Sequence, residues 1–159
     1  MRSLLVAAAL TLAPLTGAVA DSVVTQHDGW RVIDTDKSYD ALLADLKGAI
    51  KANKMGLVTE AGPTEVAKKR GETIPGNRVL GIFRNDFAVT IIRAAPSAMI
   101  EPPVRIMVME EPDGTASLSY KLPSVVFAPY AEEGGAAVTD SAAQLDEIFA
   151  TIADQAAAN

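Results

Sequence analysis

The chain has 159 residues, no cysteine and one histidine, with 14 Lys plus Arg against 20 Asp plus Glu for a net charge of −6. Lacking cysteine, it has no disulfides, thiolate-bound zinc, iron–sulfur clusters, covalently attached haem or thiol catalysis, and one histidine excludes any metal site that needs two. The acidic balance opposes nucleic acid as a partner, because phosphates require a basic face, and the length suits one domain and hardly two.

Residues 1–20 read as a secretory signal peptide. Arg2 supplies the positive start, Leu4 to Leu12 is an uncharged apolar run, and Pro14 and Gly17 break the chain after it. Ala18-Val19-Ala20 gives a small-x-small cleavage pattern that leaves Asp21 as the new N-terminus. The run is too short for a transmembrane helix, and lipid anchoring would need a cysteine. Residues 21–159 are therefore expected as one α+β domain, exported to a periplasm and with no stable membrane association.

In chain order, Asp28-Gly29 is a turn signal and Trp30 to Asp34 a strand. Ser38 is a favourable N-cap. Tyr39, Leu42, Leu43, Leu46, Ala49 and Ile50 then recur at helical spacing, ending near Asn53. Gly56 to Glu60 reads as a strand, Gly62-Pro63 as a turn, and Thr64 to Arg70 as two helical turns stopped by Gly71. Lys68-Lys69-Arg70, the one dense basic run, reads as a solvated helix face beside Glu65 and Glu72. Arg78 to Arg84 is a strand expected to be buried on both faces. Asn85 or Asp86 is expected to cap a helix whose buried stripe is Phe87, Ala88, Ile91, Ile92 and Ala95. Val104 to Glu110 and Ala116 to Lys121 form a hairpin about Glu111-Pro112-Asp113-Gly114. Glu132-Glu133-Gly134-Gly135 reads as loop. Thr139, Asp140 and Ser141 compete as caps for a last helix over about 140–155, carrying Leu145, Ile148, Phe149 and Ile152. The tail from Ala156 is expected to fray. No internal repeat or linker divides the chain.

Four stretches carry a resemblance. They are the Ser38 helix running into Gly56-Leu57-Val58; Lys69-Arg70-Gly71-Glu72 followed by the strand to Phe83; Phe83-Arg84-Asn85-Asp86; and Pro103 to Val108 with Asp113-Gly114 and Ser119-Tyr120-Lys121-Leu122-Pro123. In this order and spacing, over about residues 38–123, the chain resembles the domain-of-unknown-function 302 family. The resemblance implies an antiparallel β-sheet with helices packed on one face, in the TATA-binding-protein-like class with β-α-β-type order, and dimers in some members. It implies no established activity. Arg84 stands where the family usually has glycine and Asp86 where it has proline, so a ligand contact made by that turn elsewhere would be altered here.

The candidate chemistry is sparse. His27 beside Asp28-Gly29 reads as an exposed turn residue, and no G-x-S-x-G sequence accompanies it. Met107 and Met109 share a strand face, but without Met-x-x-Met or paired histidines they read as core filler rather than a copper site. Glu110 and Glu111, adjacent near a turn, read as solvated. Asn85 and Asp86 read first as caps, and otherwise as polar groups holding a ligand at a helix N-terminus, with Arg84 and Arg105 offsetting Asp86. Arg105, Met107 and Met109 alternate with Val104, Ile106 and Val108; Ser117, Ser119 and Lys121 alternate with Leu118, Tyr120 and Leu122. Each strand thus offers one apolar and one mixed face, the mixed one open to solvent, a ligand or a second subunit. No cofactor is expected. The leading expectation is a non-enzymatic binding or interaction module with Arg84, Asn85, Asp86, Glu101, Arg105 and Lys121 as ligand or interface candidates. Its partner would be a small molecule or a second copy of the chain. The alternatives are a hydrolase or isomerase using Glu60, Asp86 or Glu101 with an arginine, and a ligand-free dimerisation domain.

Overall fold

A computed structural model describes residues 22–158, so the expected leader lies outside the described residues. Five strands form one antiparallel sheet: β1 (Trp30–Thr35), β2 (Gly56–Ala61), β3 (Asn77–Phe83), β4 (Val104–Glu110) and β5 (Ala116–Lys121), in the spatial order β1-β5-β4-β3-β2. The helices are α1 (Tyr39–Ala52), α2 (Thr64–Lys69), α3 (Asn85–Ala94), α4 (Pro123–Phe127) and α5 (Ala131–Ala157), with 3-10 turns over Pro96–Ile100 and Ala128–Tyr130. Among the described residues no helix is long and apolar enough to cross a membrane.

Alternation decides which face of the sheet is covered. Leu80 and Ile82 of β3 and Val104, Ile106 and Val108 of β4 are buried, as are Ala116, Leu118 and Tyr120 of β5. They meet Leu42, Leu46 and Ile50 of α1, Ile91 of α3, Phe127 of α4, and Phe149 and Ile152 of α5 in one core. Each buried Val, Leu, Ile or Phe among them contributes about 1.5–3 kcal/mol through its removal from water. α5 is the central helix of this layer, touching α1, α3 and α4. Ser38 caps α1 by accepting from the Ala41 amide, and Asn53 closes it. Glu60 points toward the helices and binds Lys47 of α1 at 2.8 Å.

Several expectations are corrected. Asn85 and Asp86 are the first residues of α3 and not its cap; Arg84 holds the N-cap position in extended conformation and makes no side-chain cap bond. Ile92 is exposed rather than in the buried stripe. Glu132 to Gly135 is not loop: α5 begins at Ala131, where two glutamates meet the positive end of the helix dipole. Glu133 also accepts from the Ser97 amide. The two glycines serve packing and a kink. A Cβ on Gly134 would lie 3.0 Å from Ala95, and Gly135 takes φ 54°, ψ −142°. Thr139, Asp140 and Ser141 therefore lie inside the helix, Ser141 buried with its hydroxyl donating to the Ala137 carbonyl. Ala156 does not fray; it is fully buried. β3 is buried at Leu80 and Ile82 on the helix face and only in part on the other, where Gly81 is buried but Val79 is half-covered.

The face without the helix layer is partly dressed by the segment before β1. Ser22 Oγ and the Val23 amide donate to the Glu111 carboxylate, which also accepts from Ser117 Oγ at 2.6 Å. At the other end of β5, the Gly29 carbonyl accepts from the Leu122 amide. The segment thus runs the length of β5 as a strap.

Candidate functional site

The mixed face of the sheet forms the floor of a cleft of about 490 Å³. The register places its parts. Val79, Met107 and Ser119 form one row across β3, β4 and β5. Arg105 of β4 and Lys121 of β5 each lie one residue beyond the Ile106–Tyr120 pair, and Lys121 pairs in turn with Trp30 of β1. Val125 and Val126 of α4 and Glu101, just past the 3-10 turn, supply the walls. Gly29 seats Trp30 against α4: its φ is +74°, and an added Cβ would lie 2.7 Å from a Val125 methyl.

The electrostatics are uneven. The Lys121 ammonium lies 5.7 Å from the centre of the Trp30 ring. Among the described residues, neither Arg105 nor Lys121 has a carboxylate within ion-pair distance. Glu101 in the cleft wall accepts from the Tyr130 hydroxyl at 2.6 Å, and that bond pushes the Tyr130 phenol above its ordinary range. Ser119 is 2% exposed, and its hydroxyl is buried without a hydrogen-bond partner. A buried orphan hydroxyl is uncommon and asks for an explanation.

The expected site residues separate into two groups. Glu101, Arg105 and Lys121 come together at the cleft. Arg84, Asn85 and Asp86 do not join them. Arg84 donates to Asp86 at 2.8 Å, lies 4.3 Å from the centre of the Phe87 ring, and borders a separate apolar cavity of about 20 Å³. The Arg84 hydrogen bond holds the Asp86 carboxyl below its ordinary value. The pair of carboxylates that a hydrolase or isomerase would need is not assembled. Glu60 is held by Lys47 and Arg78 on the helix side, Asp86 opens α3, and Glu101 lines the cleft. Among the described residues no three metal-ligating side chains cluster.

Sequence reading missed Ser119, Trp30 and the α4 valines as parts of one site. It also took Glu110 and Glu111 as solvated. Glu111 is instead the buried anchor of the strap, and Glu110 accepts from the Gly76 amide at 2.6 Å. The alternation of Ser117 and Ser119 placed both on the mixed face, but nothing local indicated that both would be buried, Ser117 beside the Glu111 that anchors the strap. Lys68, Lys69 and Arg70 are exposed at the end of α2, and His27 is exposed in its turn, 5.3 Å from the Trp30 ring.

The model of the family described as "Domain of unknown function DUF302" matches residues 32–155, a longer stretch than the sequence resemblance alone marked out. The chain belongs to this family. A solved structure titled "Crystal structure of uncharacterized conserved protein DUF302 from Bacillus stearothermophilus" is similar, with a TM-score of 0.69 at 15% identity, covering 82% of this chain and 99% of that one. At that identity the likeness shows the fold alone. No curated protein matches the chain. The DUF302 match takes in most of the cleft floor, both walls and all but the last residues of α5, while Trp30 and the strap precede it.

Proposed function

We propose that this DUF302 protein is an exported, non-enzymatic binding module that holds a small molecule in the cleft on the sheet face opposite the helices. One observation carries the reading: the floor of a cleft of about 490 Å³ contains a buried hydroxyl, that of Ser119, with no partner in the protein. The volume lies within the range of small-ligand pockets, about 300–1,000 Å³, in which a few polar groups are set among apolar walls. A ligand would supply the hydrogen bond that Ser119 lacks once the hydroxyl, shielded from water in this rotamer, turns about χ1 into the cleft. The carboxylates are dispersed, which favours binding over acid–base chemistry.

Native mass spectrometry of protein purified from its own cells tests this. The expected result is a retained mass at fixed stoichiometry, lost in a Met107→Trp variant that fills the cleft. A bare chain, or a retained mass indifferent to that substitution, overturns the reading. Terminal sequencing of the same material is expected to begin at Asp21, as export with cleavage requires.

A second reading, a homodimer, is favoured by β2. All six of its residues are exposed at the free edge of the sheet, Leu57 and Val58 among them. An unpaired antiparallel edge can pair with a copy of itself about a two-fold axis. Sedimentation at micromolar concentration is expected to give a dimer that Val58→Lys dissociates.

A further inference from the structure

We infer that the ligand of the cleft is an amphipathic organic anion: a single carboxylate, sulfonate or phosphate head on an apolar or aromatic body. The inference rests on the binding reading above and adds the chemical class. Arg105 and Lys121 stand at neighbouring positions on adjacent strands. Like charges so placed repel each other and cost stability. In a chain of net charge −6, carboxylates were available to neutralise them, yet among the described residues none does. A bound anion between the two cations completes the missing pairing, and arginine offers it a planar fork of donors.

The remaining lining sets the rest of the molecule. Val79, Met107, Trp30, Val125 and Val126 are apolar and surround the space beside the cations. An inorganic anion would leave those surfaces wet. Glu101, tied to Tyr130 and lining the same cleft, disfavours a second negative group on the ligand. One anionic head with an uncharged body therefore matches both the charge and the volume.

The test compares two probes with one aromatic skeleton: 8-anilinonaphthalene-1-sulfonate, which is anionic, and N-phenyl-1-naphthylamine, which is not. Trp30 is the only tryptophan of the chain and lines the cleft, so its quenching reports binding, and loss of that quenching in a cleft-filling Met107→Phe variant assigns the probe to the cleft. The sulfonate is expected to bind once per chain, quench Trp30, and bind at least tenfold more tightly than the neutral probe. Arg105→Gln with Lys121→Gln is expected to abolish that preference. Both side chains are exposed, so the fold survives, as circular dichroism will verify. Equal binding of the two probes, or a preference that outlasts the double substitution, overturns the anion inference and leaves the cleft reading standing. Failure of both probes to quench Trp30 overturns the cleft reading itself.

Discussion

Gly81 sits in the middle of β3 with no room for a methyl group. A Cβ there would collide with the Thr59 hydroxyl and lie 2.8 Å from Pro103 Cγ. Gly81→Ala is expected to lower stability by about 1–3 kcal/mol, as overpacking does. Adding Thr59→Ala should recover part of the loss, giving a non-additive pair in urea titrations. Ser119 predicts the opposite sign. Its hydroxyl is buried without a partner, so Ser119→Ala should leave stability unchanged or raise it by about 1 kcal/mol. The same variant should hold the cleft ligand less tightly, and a calorimetric melt with and without ligand separates the two effects. Asp86 gives a pH signature. Its carboxyl is lowered mainly by the Arg84 hydrogen bond, so its contribution is complete above the unfolded value of about 4 and fades as pH falls through the lowered one. The side chain is 65% exposed, so the effect is well under about 1 kcal/mol. Asp86→Asn should flatten the acid side of the stability profile slightly, and the small loss at neutral pH should stay within that bound.

Among the elements, α5 departs furthest from what its local sequence suggests. Gly135 is the reason it can bend: φ 54° with ψ −142° is a region open to glycine and costly for other residues. No atom crowds the site, so Gly135→Ala should cost about 1–3 kcal/mol through backbone strain alone, seen as a lower denaturation midpoint with an unchanged m-value. The strands and α1 were legible because their patterns are strong and local: alternation in β4 and β5, an Asp113-Gly114 turn between them, and a Ser38 cap before a periodic run. The first turn of α5 was not, because Gly134-Gly135 has the composition of a loop; Gly134 is held in the helix against Ala95 and Val138, and Gly135 makes the kink. The α3 cap failed for a similar reason. Asn85 and Asp86 have the right chemistry one residue too late, since the strand stops at Phe83 and the helix already begins at Asn85, leaving Arg84 at the junction.

At the scale of the whole molecule, the site draws on β1, β3, β4, β5, α4 and the turn before Glu101, brought together by the sheet order. Arg105 and Lys121 could be named from the mixed faces of their strands. Their shared position, and the walls around them, depend on pairings between distant parts of the chain that no local pattern states. The strap adds a further long-range tie through Glu111. Glu111→Gln should loosen it, raising hydrogen exchange at Val23 while leaving Leu118 in the core protected. The order of the strands also governs time. Among the described strands β1 is the first synthesised, yet its one partner in the sheet is β5, the last. Until Lys121 exists, Trp30 has nothing to pair with. The other four strands can zip by neighbouring contacts while the leading strand trails loose, and the molecule is sealed only when its beginning finds its end.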